Sequence, residues 1–86
     1  MKLKSEFIAH DASTESLLVP TGAASWAGVV RGNKTFGAIL ELLQEETDEA
    51  AVVAAMHERF DAPDGAIERD VAHALDVLWR IGALDE

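Results

Sequence analysis

Gly28-Val29-Val30-Arg31-Gly32-Asn33-Lys34-Thr35-Phe36-Gly37-Ala38-Ile39-Leu40-Glu41-Leu42-Leu43 is the stretch in which the chain changes period. Before Gly32 the apolar residues are β-branched and bracketed by glycines, the texture of a short strand. After it, Phe36, Ile39, Leu40 and Leu43 recur at i, i+3, i+4 and i+7, which predicts an amphipathic helix. Asn33 stands just ahead of that run, where a short polar side chain caps the first free N–H groups. Gly37 costs roughly 0.5–1 kcal/mol relative to alanine inside a helix, so its presence predicts a close neighbour.

Upstream, the texture stays strand-like. Lys4–His10 is followed by turn formers at Asp11–Thr14, and Ser16–Val19 is stopped by Pro20. With Trp26–Arg31, ending at Gly32, these runs predict a three-stranded antiparallel meander. The glycines on either side of Val29-Val30-Arg31 mark a bulge or a place where another backbone approaches. Downstream, everything reads as helix. Thr47 is the expected cap of a second helix with the stripe Val52, Val53, Met56 and Phe60. Pro63-Asp64-Gly65 breaks the chain, and a third helix is expected from about Ala66 to Ile81. Its inward face is Ile67, Val71, Ala74, Leu75, Leu78 and Ile81. Gly82 suits the position just past that helix, and Leu84 folds back over its last turn. The expectation is one α+β domain over residues 1–86, three strands and then three helices.

Composition narrows the function. At 86 residues the chain holds one modest core and little room for a deep catalytic cleft. It has no cysteine, which excludes disulfides, thiolate metal sites and cysteine nucleophiles. No signal-peptide run opens it and no stretch approaches the ~18 apolar residues of a membrane span, so a cytoplasmic protein without a membrane role is expected. Of the net charge of −9, residues 1–40 carry +1 and residues 41–86 carry −10. Nucleic-acid binding needs a cationic face that displaces phosphate counterions, and the acidic half opposes it.

Chemistry is sparse. His10, His57 and His73 share no short helical spacing, so no metal site is expected. Ser13, Ser16 and Ser25 lack the strained turn and local base of a nucleophile. Glu15-Ser16-Leu17 is similar to the attachment serine of small acidic carrier proteins, but that serine opens a helix and this one precedes Leu17-Leu18-Val19-Pro20. No phosphate-binding loop is present. Trp26 and Trp79 read as packing residues that are also suited to a binding hot spot. No catalytic residue and no cofactor is expected; function rests on shape.

The order of several short motifs resembles a known family. Leu18-Val19-Pro20, Gly28 to Thr35, Ile39-Leu40-Glu41-Leu42-Leu43, Thr47-Asp48-Glu49-Ala50, Phe60-Asp61, Asp70-Val71 and Ile81-Gly82-Ala83-Leu84 are similar, in order and spacing, to PqqD-like proteins. The resemblance implies a winged helix-turn-helix acting as a RiPP recognition element. Such a domain binds the leader of a ribosomally made precursor peptide and presents it to a modifying enzyme, commonly a radical S-adenosylmethionine enzyme. The leader adds as a strand to the third strand and lies against the third helix. Carried onto this chain, the binding edge is Gly28, Val29, Val30 and Arg31, and the helix wall is Asp70, Ala74, Val77 and Leu78. Two departures stand out: Arg31-Gly32 replaces the family's Leu-Asn ending, and Ala74 replaces an aromatic, which opens the groove. A weak homodimer through the strand edge is compatible with the monomeric reading. The alternatives are a winged-helix DNA-binding regulator and a general protein–protein module.

Overall fold

A computed structural model describes residues 1–11, 15–21, 28–63 and 65–85; of Asp11 only the backbone is described. The elements run β1 (Lys2–Leu3), β2 (Phe7–Asp11), β3 (Ser16–Pro20), β4 (Val30–Gly32), α1 (Lys34–Leu42), α2 (Glu49–Arg59), α3 (Ala66–Arg80) and β5 (Leu84–Asp85). The expected meander is the antiparallel sheet β2-β3-β4, and three helices follow it as expected. The third strand is β4, shorter than the expected Trp26–Arg31: Gly28 and Val29 precede it and Gly32 lies inside it. The start of the expected strand at Trp26-Ala27, residues 12–14, and Ser13 and Ser25 lie outside the described residues; Asp11, expected in a turn over Asp11–Thr14, is the last residue of β2, opposite Ser16.

Alternation along the strands sets which face is covered. Leu18 pairs with Val30 and Ser16 with Gly32, and Leu18 and Ser16 are buried against the helices. Leu17 and Arg31 pair on the other face, with Arg31 exposed. Helix α1 packs against the whole sheet on one side and against α2 and α3 on the other. The stripes read from the sequence form the core: Ile39, Leu40 and Leu43 from α1, Val52 and Met56 from α2, and Ile67, Val71, Ala74, Leu75 and Leu78 from α3. Gly37 answers to its expected close neighbour, since a Cβ there would collide with the Ser16 hydroxyl.

Caps explain the helix limits. Asn33 accepts from the Phe36 N–H at 3.0 Å, as expected. The second helix corrects the sequence reading by one residue: Asp48, not Thr47, caps α2, accepting from the Ala51 N–H at 2.8 Å. A carboxylate is favoured at this end because the helix dipole adds to the hydrogen bond. The Thr47 backbone is occupied instead, its N–H donating to the Met1 carbonyl at 2.9 Å. Helix α3 closes at Gly82, φ +73°, with the Ala83 N–H on the Leu78 carbonyl and the Gly82 N–H on that of Trp79. This paired closure needs a left-handed residue, which glycine supplies without strain.

Two short elements were not legible beforehand. β1 pairs antiparallel with β5, Leu3 opposite Leu84, and both leucines are buried. The N-terminal segment read as the start of the first strand therefore splits at a turn over Ser5 and Glu6. Pro20, expected to stop its strand, is the last residue of β3 opposite Phe7. A strand end is where a missing N–H is tolerated.

Candidate functional site at the β4 edge and the α1–α3 hollow

The sheet order makes β4 an outer strand, paired with β3 on one side and, among the described residues, with no strand on the other. Such an edge carries backbone N–H and C=O groups available to another chain. Val30 is half-buried against the core, whereas Val29, just before the strand, is 52 % exposed. Gly28 has φ +133°, a conformation that favours glycine, so the backbone enters the strand by a turn that a side chain would strain.

A hollow of about 290 Å3 lies between the N-terminal half of α1 and α3, lined by no residue of β4 itself. Phe36, Ile39 and Ala74 give it an apolar floor, and Arg69, Asp70 and His73 rise along the α3 side. A Cβ at Gly32 would collide with the Phe36 ring, so one ring supports β4 and also lines the hollow. Gly32 is the family departure noted above, and close approach to Phe36 is what it provides.

The eight residues singled out from the sequence separate here. Gly28, Val29, Val30 and Arg31 form the approach to β4 and its edge. Asp70 and Ala74 line the hollow, Asp70 exposed and Ala74 4 % exposed at the floor. Val77 is half-buried outside it, and Leu78 is a core residue at 0 % exposure. Sequence reasoning did not single out Phe36, Ile39, Arg69 and His73, which also line the hollow. The first two had been assigned to the helix stripe, which is also true: the same face of α1 supplies core and hollow. Trp79 is 43 % exposed, half a turn round α3 from Asp70, while Trp26 lies outside the described residues.

No group of three potential metal ligands converges among the described residues. The pair that does meet is His57 and Glu68, 2.7 Å apart across α2 and α3. The hydrogen bond from His57, helped by one from the Glu68 backbone, holds the Glu68 carboxyl below its ordinary value of 4.5. A depressed acid stabilises the fold above its unfolded pKa, and that contribution disappears as pH falls through the folded one. Thermal melts of wild type and Glu68→Gln should therefore differ at neutral pH and converge as pH falls through the depressed folded-state pKa of Glu68. The difference should be small, since both side chains are exposed.

Comparison with known proteins agrees with the fold. The family model described as Coenzyme PQQ synthesis protein D (PqqD) matches residues 17–84. No curated protein matches the sequence. Among solved structures, TbiB1 in complex with the TbiA(beta) leader peptide is similar, with a TM-score of 0.76 and 19 % identity. The match covers 99 % of this chain and 95 % of that one. At this identity the likeness concerns the fold.

Proposed function

Because the chain belongs to the PqqD family, we propose that it binds the leader segment of a ribosomally synthesised precursor peptide and presents it to a peptide-modifying enzyme. The observation that carries this reading is the edge of β4, which no strand covers among the described residues, together with the apolar-floored α1–α3 hollow that Phe36 shares with β4. An extended peptide adding to that edge satisfies backbone groups whatever its sequence, and a side chain placed in the hollow supplies selectivity. Ordering a disordered leader costs about 2–5 kcal/mol or more, so at least one buried anchor is required. TbiB1, which shares the fold, was solved in complex with a leader peptide, and this supports leader binding here. The enzyme served is, on the family resemblance, a radical S-adenosylmethionine maturase.

A winged helix also suits DNA, but α3 is poorly equipped for it. It carries Arg69 and Arg80 against Glu68, Asp70 and Asp76, and Arg80 is already paired with Asp76 at 3.0 Å. Too little cationic surface remains to displace phosphate counterions.

In this reading the protein performs no covalent step and acts by tethering. A short flexible link raises the effective concentration of the peptide core at the enzyme to about the millimolar range. Maturation of a precursor encoded beside the gene, followed with and without this protein, should accelerate most when peptide is dilute. The gain should vanish as peptide alone saturates the enzyme. Equal rates at every concentration, or turnover without the enzyme, would contradict the proposal.

A further inference from the structure

A second groove lies on the opposite face of α1. Phe36 and Ile39 face the hollow described above, whereas Lys34, Gly37, Glu41 and Gln44 recur three and four residues apart on the other side of the helix. Between that stripe, β1 and the outer strand β2 opens a cavity of about 950 Å3. Its charge is opposite to that of the chain as a whole. Lys2, Lys4, Lys34 and Arg59, four of the seven Lys and Arg residues, line it, with Glu41 and Asp85 the only carboxylates that do so among the described residues. Arg59 and Glu41 neutralise each other at 3.3 Å, while Lys2 and Lys4 have no ion-pair partner among the described residues. Three further features suit a polypeptide. β2 has no strand on its outer side among the described residues, and Ile8 on it is 55 % exposed. Ser16 in the cavity wall is 2 % exposed, and its Oγ has no hydrogen-bond partner among the described residues. Phe7, Ala38 and Leu40 provide an apolar floor.

We propose that this cavity binds an extended acidic segment of a partner polypeptide, laid along β2. Its length follows from the helix beneath it: Lys34 to Gln44 spans about 15 Å, which an extended chain covers in about five residues. Alternate side chains then meet the apolar floor, and those between them meet Lys2 and Lys4 at the end where β1 bonds to Leu43. A basic segment would face like charges, which sets the sign of the partner. The site is separate from the β4–α3 groove, so either can fail without the other.

The probe is a capped hexapeptide alternating valine and glutamate, titrated into 15N-labelled full-length protein at low salt. Saturable amide shifts at Lys4, Ile8 and Gly37 are expected, with Val30 and Ala74 unmoved. The double variant Lys2→Glu/Lys4→Glu, whose altered side chains make no ion pair, should bind the peptide at least about tenfold more weakly and melt like wild type. Several results would overturn the proposal: no shifts, shifts centred on β4 and α3, equal binding of the valine–lysine peptide, or unchanged affinity of the double variant. Equal shifts from glutarate would reduce the site to simple carboxylate binding. Self-association abolished by the double variant would assign the groove to a second copy of this chain.

Discussion

Leu78→Ala is expected to unfold much of the protein rather than to weaken its grip on a peptide. Leu78 is fully buried, and its carbonyl accepts the closing bond of α3 from Ala83. Removing a buried leucine side chain costs about 2–5 kcal/mol, from lost transfer energy and from the cavity left behind. A domain of this size has only about 4–13 kcal/mol of stability in total. The melting temperature should therefore fall by at least about 8 °C. At a temperature where the variant remains folded, its affinity for a leader peptide should match wild type. An unchanged melt with lost binding would instead put Leu78 in contact with the peptide.

The second large effect concerns the β4 backbone. Val30 and Arg31 are neighbours in the strand, so their N–H groups point to opposite sides, one toward β3 and one toward the free edge. Proline at each, tested separately, removes one N–H and adds a ring that crowds its side. The variant altered at the inward position should lose stability by loosening β3 from β4. Its neighbour should keep its melting temperature and lose about 1–3 kcal/mol of leader affinity, through a lost hydrogen bond and steric exclusion. If both variants fold and bind like wild type, strand addition at β4 is wrong.

Legibility in the sequence followed periodicity. The three helices and their buried stripes were readable because each repeats an apolar face over several turns, and Gly82 marked its closure. The β1–β5 pair was not, since two-residue strands have too few positions for a pattern and depend on partners about eighty residues apart. The α2 cap was misplaced by one because Thr47 and Asp48 are both competent caps, and only the contact between Thr47 and Met1 decides between them. For the groove, the edge and Asp70 were accessible through family resemblance. The part played by Phe36 and Ile39 was hidden because a residue lining a hollow and a residue filling a core give the same apolar signal. The cationic cavity was hidden for another reason. Lys2, Lys4, Lys34 and Arg59 are scattered along the chain, and only the packing of β1 and α2 around α1 gathers them.

Binding of a leader peptide at β4 is best tested by hydrogen exchange and amide shifts on the 15N-labelled protein, titrated with the leader encoded beside its gene. The account predicts saturable binding, new protection at one of the two amides Val30 and Arg31, and shifts at Phe36, Asp70 and Ala74. No binding, or saturable binding that leaves β4 exchange and the α1–α3 hollow unchanged, would contradict it.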